Sequence, residues 1–176
     1  MSQPSIYRHP PRGRPMIGFQ LDVPREVELR DGSVLKCREV LRGGRTLGEL
    51  EVGVFVAALI IDRDGILAEK ACEVLGREAA LRGEPTAVAV RLPGAAGFRA
   101  DAVVNTPLPY RYVFAISPDE VVDGGVLITI RCATPDWPAA DRMVRSLRVL
   151  TRSGRIATHA EFDEGPLLPV ATPRRD

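Results

Sequence analysis

The sequence predicts an α+β domain in which one mostly antiparallel sheet packs against two main helices. Three observations carry this. Apolar and polar residues alternate at the period of a strand in several segments between residues 16 and 61 and again between 86 and 132. Two stretches, Ile66 to Arg82 and Trp137 to Arg148, repeat their apolar residues at helical spacing instead. The connections between the later strands are short and rich in Gly, Pro and Asp, as hairpins require. Strands, a helix, four antiparallel strands and a closing helix fold most simply as one sheet with helices against it.

Residues 1–15 carry Pro4, Pro10, Pro11 and Pro15 among Arg8, Arg12 and Arg14. That composition has little to bury and reads as an extended, flexible arm. The single domain then spans residues 16–150. Met16 to Leu21 forms a short apolar strand ended by Pro24, and Val34 to Leu41 a second one stopped by Gly43 and Gly44. Glu49 to Ile61 alternates most clearly. Leu50, Val52, Val54, Val56, Ala58 and Ile60 share one face, while Glu49, Glu51, Gly53 and Phe55 share the other, which turns apolar at Leu59 and Ile61. The far end of this strand is therefore expected to be buried on both faces.

Asp62 and Asp64 offer N-caps for the first helix, which sets Leu67, Ala71, Val74, Leu75 and Leu81 on one side and stops at Gly83. Thr86 to Leu92 and Phe98 to Val104 form a hairpin through the Pro93 to Gly97 loop, whose glycines supply positive φ. After the stiff Thr106-Pro107-Leu108-Pro109 link, Tyr110, Tyr112, Phe114 and Ile116 alternate on one face. A turn near Asp123-Gly124-Gly125 brings Val126, Ile128 and Ile130 opposite them. Thr134-Pro135-Asp136 caps the last helix, with Trp137, Ala140, Val144 and Leu147 inward and Arg142, Arg145 and Arg148 outward. Residues 151–176 hold Pro166, Pro169 and Pro173 and read as a largely irregular tail with a short strand at Arg155 to Thr158.

Length and composition fit one globular domain. The chain has 176 residues, 45% of them apolar and 27% charged, and a formal net charge of +1, so no overall field draws it to nucleic acid or to a membrane surface. Three widely spaced cysteines, Cys37, Cys72 and Cys132, are an odd number and read as buried structural thiols in a reducing compartment. The first residues lack the charged-then-apolar pattern of an export signal, and no apolar run is long enough to span a bilayer. A cytoplasmic protein is the expectation.

Residues that could carry chemistry are sparse. The two histidines, His9 and His159, stand in opposite tails, so a histidine triad or multi-histidine metal site would require both tails to meet. Asp62, Asp64, Asp119, Glu120 and Asp123 sit at element ends, where carboxylates cap helices and fill turns. The Asp62-Arg63-Asp64-Gly65 run has the start of a calcium loop, but the positions before Glu73 are Leu and Ala rather than ligands. No nucleophile elbow and no phosphate-binding glycine loop occurs. No catalytic, cofactor or metal site is assigned, and an enzyme is not expected.

Two features remain as candidate contact surfaces. Tyr110, Tyr112 and Phe114 hold three of the nine aromatic residues, facing Val126 and Ile128. This face is either core beneath a helix or an exposed apolar surface for a partner. Arg142, Arg145 and Arg148 form a basic stripe at i, i+3 and i+6, which is either the solvated side of an amphipathic helix or an anionic-surface contact.

The order of elements over residues 16–150 resembles the PsbP-like superfamily. The best local similarity is the closing segment Trp137-Pro138-Ala139-Ala140-Asp141-Arg142-Met143-Val144-Arg145-Ser146-Leu147-Arg148, which is similar to the final helix of the bacterial DcrB-like and LpqN-like proteins. The tryptophan that many members carry soon after the position of Pro24 is absent, as is the lipobox of exported members. The resemblance implies an α/β/α sandwich and a non-enzymatic module that binds another protein, as an intracellular adaptor or chaperone of the secretion-effector type, with self-association allowed for. The alternative is an accessory structural subunit whose terminal tails make the contacts.

Overall fold

The computed structural model describes residues 5–9, 17–30, 32, 34–56, 62–79, 81, 84–119, 124–151 and 155–159. Among these, two antiparallel sheets and two helices account for nearly the whole path of the chain. The strands are β1 (Ser5–His9), β2 (Gly18–Val23), β3 (Val27–Arg30), β4 (Leu35–Val40), β5 (Thr46–Val56), β6 (Ala87–Leu92), β7 (Ala95–Val103), β8 (Tyr110–Pro118), β9 (Gly124–Cys132), β10 (Arg148–Leu150) and β11 (Ile156–His159). The helices are α1 (Arg63–Ala79) and α2 (Pro138–Arg145). A seven-stranded sheet runs β3-β4-β5-β9-β8-β7-β6, and a four-stranded sheet runs β1-β2-β10-β11.

The antiparallel α+β class expected from alternation is present, but one sheet with two main helices is not. A second sheet takes much of the place assigned to the second helix. β2 and β11 fall where short strands were expected, at Met16 to Leu21 and Arg155 to Thr158, whereas the short β1 and β10 were not anticipated. β1 lies inside the segment expected to be a flexible arm and pairs with β2, Tyr7 opposite Leu21. β10 pairs with β2 on the other side and with β11 beyond. β3, four residues long, was not anticipated either, since only Val27 and Leu29 alternate in it.

The closing helix is also shorter than its pattern. Pro138 stands at the first turn, where a fixed φ and a missing N–H cost nothing, so the helix starts after Trp137 and not from a Thr134 or Asp136 cap. It ends at Arg145, with Ser146 as C-cap, and Arg148 belongs to β10. The inward stripe holds nonetheless: Trp137, Ala140, Val144 and Leu147 are all buried. The Trp137 indole lies flat over Gly48, where an added Cβ would stand 2.5 Å from the ring, and its Nε1–H donates to Glu39 at 2.6 Å.

α1 matches its expected apolar side, with Leu67, Ala71 and Leu75 buried. Asp62 caps it by accepting from the Gly65 N–H at 3.1 Å, and the helix begins three residues before the expected Ile66. The expected stop at Gly83 lies outside the described residues. The β6–β7 hairpin closes through Pro93 and Gly94 alone, Leu92 facing Ala95 and Gly94 at φ +66°, so Gly97 is part of a strand and not of the loop. Gly124 and Gly125 likewise open β9. β5 runs Thr46–Val56, where Val56 is 70% exposed; the far end expected to be buried on both faces, at Leu59 and Ile61, lies outside the described residues.

Two cores separate at the seven-stranded sheet. On one face Tyr112, Phe114, Ile116, Val126, Ile128, Ile130, Leu50 and Val52 meet Phe19, Leu21, Val149 and the apolar side of α2. On the other, α1 packs Leu67, Ala71 and Leu75 on Phe55, Ala100, Val113 and Ala115. The helix packs chiefly on β7 and β8, touches β6, and reaches Phe55 of β5 and Leu127 and Arg131 of β9, so that among the described residues its cover thins toward β4 and β3.

Candidate binding surface

Where the cover of α1 thins, the face belongs to β3, β4 and the adjoining parts of β5 and β9, and its chemistry follows from strand alternation. Leu35 and Cys37, Leu50 and Val52, Ile128 and Ile130 turn inward, so Lys36 and Arg38, Glu49 and Glu51, Thr129 and Arg131 turn outward. Register aligns these outward side chains in rows. Glu28 faces Arg38, Arg38 faces Glu49, Glu49 faces Arg131 and Arg131 faces Arg111. The next row runs Arg30, Lys36, Glu51 and Thr129.

Arg131 anchors the array. Its guanidinium reaches Glu49 at 3.2 Å, Glu51 at 3.4 Å and Glu78, which comes down from the last turn of α1. Only 19% of its side chain is exposed. Contact with three carboxylates pushes its pKa upward, and the hydrogen bond to Arg131 holds the Glu78 carboxyl below its ordinary range. Arg111, directly opposite, is buried against the 106–108 link, where it donates to the Leu108 carbonyl and, at 3.2 Å, to Thr106 Oγ1. Burial, and next the charge of Arg131, lower its pKa.

Farther out the charges are exposed. Lys36 meets Glu51 and Arg38 meets Glu49, both at 3.5 Å, with 59% of the Lys36 side chain exposed. Exposed pairs of this kind contribute about 0–1 kcal/mol each, so they do little for the fold and remain available for exchange. A hollow of about 230 Å³ opens here, lined by Glu28, Arg30, Lys36, Arg38, Glu49 and Arg131 among others. On its outer side Arg30 and Lys36 stand directly opposite one another, a like-charge pair that Glu51, at 3.5 Å from Lys36, offsets in part.

Glu78→Gln tests the anchor. Because the folded-state pKa of Glu78 is depressed, its contribution is present above the ordinary value of 4.5 and is lost as pH falls from there through the lowered pKa. The variant is expected to lose about 1 kcal/mol at neutral pH. Its deficit against wild type should shrink progressively below pH 4.5 in chemical denaturation series. A deficit that does not depend on pH would refute the Glu78–Arg131 linkage.

The residues singled out from sequence fall elsewhere. Tyr112, Phe114, Val126 and Ile128 are fully buried, beneath β2, β10 and α2, and so form no contact surface in the folded protein. The Tyr112 hydroxyl donates to the Pro135 carbonyl at 3.1 Å, and Tyr110 is half-buried at the rim of the same core. The basic stripe is broken up: Arg142 pairs with Glu26, Arg145 with Asp141 at 3.0 Å, and Arg148 sits on a strand. Cys37 and Cys132 are buried, each thiol pushed up to about 12 by desolvation, while Cys72 donates to the Pro85 carbonyl at 3.2 Å. Asp119 pairs with Arg63 at 2.8 Å; Glu120 and Asp123 lie outside the described residues. His9 and His159 fall on β1 and β11, the opposite edges of the four-stranded sheet. Among the described residues no group of three or more His, Cys, Asp or Glu side chains gathers as metal ligands, and no helix is long and apolar enough to cross a membrane.

The array on the open face was missed although its signal was present. Leu35-Lys36-Cys37-Arg38 and Glu49-Leu50-Glu51-Val52 alternate charge with apolar residues, and only the register of β4, β5 and β9 turns these separate patterns into one surface. No family model, no curated protein and no solved structure matches this chain.

Proposed function

We propose that the protein is a non-catalytic binding module of the adaptor or chaperone type, which docks an acidic segment of a partner protein on the open half of its seven-stranded sheet. The observation that supports this most is the run of exposed cations Arg30, Lys36 and Arg38 beside a hollow whose carboxylates Glu49 and Glu51 are shared among Arg131, Lys36 and Arg38. Charge complementarity at such a surface governs partner choice and association rate more than raw affinity. The apolar face of Tyr110, Tyr112 and Phe114, the other candidate surface, is core, so the proposed contact is a charged one. Similarity of the 137–148 segment to DcrB-like proteins of the PsbP-like superfamily supports a binding role, although that segment runs past α2 into β10. A cytoplasmic setting belongs to the same proposal and is supported by three unpaired cysteines.

The test is affinity capture from native lysate with wild type, with the double variant Lys36→Glu/Arg38→Glu, and with Arg142→Glu/Arg145→Glu as a control on α2. A protein captured stoichiometrically by wild type and control, and lost with the sheet-face variant, is the expected result. Equal capture by all three refutes the proposed surface. The second reading, an accessory subunit held by its tails, draws on the fact that both ends of the chain already supply outer strands, β1 and β11, to one sheet. It predicts that deleting residues 160–176 abolishes assembly while the charge variants do not.

A further inference from the structure

Glu78 stands where helix electrostatics disfavour it. It lies in the last turn of α1, at the end where a helix carries partial negative charge. Arg77, the basic residue of that turn, is paired with Glu73 on the helix itself. What holds Glu78 is the sheet, through the Nε–H of Arg131, which donates to its carboxylate. The other carboxylates on that guanidinium differ in kind. Glu49 and Glu51 are fixed on β5, at 3.2 and 3.4 Å from Nη1 of Arg131, whereas Glu78 reaches in from outside the sheet. The side chains at the contact keep some exposure, 23% for Glu78 and 19% for Arg131, so it can be reached from solvent. Arg111 adds a second cation at the same place. It stands opposite Arg131 in the β8–β9 pairing, is 7% exposed, and among the described residues nothing accepts from its Nε–H.

We infer that Glu78 is an intrachain stand-in for a carboxylate of the docked partner, occupying the position between Arg131 and Arg111 until the partner's acidic side chain displaces it. The inference rests on the reading of the charged face as a surface for an acidic segment and adds to it a built-in competitor. The exchange is nearly balanced in contacts: one carboxylate leaves the Arg131 Nε–H as another arrives, and Glu49 and Glu51 keep their hold on Nη1. β4 and β9 lie about 10 Å apart, two strand spacings, with β5 between them. The segment selected therefore carries acidic side chains at two places, one for Lys36 and Arg38 and one for Arg131. Competition by Glu78 lowers the apparent affinity by the fraction of molecules in which the position is free.

Binding of a fluorescently labelled decaglutamate peptide to the full chain, read by fluorescence anisotropy, tests this with wild type, Glu78→Gln, Glu73→Gln and Lys36→Glu/Arg38→Glu. Glu78→Gln removes the competitor and is expected to bind the peptide at least about fivefold more tightly than wild type, although the same change destabilises the fold. A merely structural Glu78 would lower stability and leave affinity where it was. Glu73→Gln removes an equal charge from α1, at a carboxylate paired with Lys70 and Arg77 instead. Its exposed charge is screened, so affinity is expected to stay within about twofold of wild type. A gain with Glu73→Gln as large as that with Glu78→Gln marks a general charge effect and overturns the inference. Binding that is lost with Lys36→Glu/Arg38→Glu but equal in Glu78→Gln and wild type overturns the competitor and leaves the charged face standing. A peptide that neither wild type nor any variant binds overturns both.

Discussion

Phe114→Ala lowers the unfolding free energy by about 3–5 kcal/mol, the cost of removing a large aromatic from a packed core. Phe114 has no solvent exposure and stands opposite Ile128 within the cluster that joins the seven-stranded sheet to β2, β10 and α2. Neighbours on both sides are held by strand pairing, so the cavity left by the ring closes only in part. An exposed Phe114 in a partner-binding face would respond differently, with a change within about 0.5 kcal/mol and a loss of binding instead. Urea unfolding at fixed pH separates the two, since the core position predicts a large fall in midpoint with little change in slope.

Gly125→Ala is the second large effect. A Cβ at Gly125 would stand 2.2 Å from the Ile116 carbonyl oxygen and 2.9 Å from the Phe55 ring. The first obstacle is backbone in the central β8–β9 pairing and cannot rotate away, so the sheet itself has to shift. We expect a loss of about 3 kcal/mol, the upper end of overpacking costs. Gly53→Ala, in neighbouring β5, is the informative control: its nearest atom is a Val34 methyl at 3.6 Å, an ordinary contact. Thermal unfolding of the pair should show a large fall in Tm for Gly125→Ala and a small one for Gly53→Ala, and equal falls would mean that Gly125 is kept for some reason other than this close approach.

The central strands were the most legible part of the chain. Tyr112, Phe114 and Ile116 alternate without interruption, and the expected partners Ile130, Ile128 and Val126 are the ones the register provides. The buried side of α1 was legible for the same reason, since Leu67, Ala71 and Leu75 recur at a spacing only a helix aligns. What periodicity cannot say is what lies over a face. The same alternation describes core and open surface, and the choice was decided by β2 and β10, paired across 128 to 132 residues of sequence, with β1 beside them. The basic stripe misled similarly: helical spacing continued to Arg148, but the backbone left the helix at Ser146, whose hydroxyl accepts from the Asp22 N–H and draws the chain toward β2. The charged array lay beyond any local pattern because its members come from four strands and one helix, and register alone unites them.

Hydrogen exchange of the wild-type protein, free and bound to the partner it captures, reads the binding surface directly. The account predicts slowed exchange in 27–40 and 46–52, the strands that carry Arg30, Lys36, Arg38, Glu49 and Glu51, with β8 unchanged because it is already protected. Exchange that stays the same across 27–40 and 46–52 while slowing on α2 or the terminal strands would contradict it.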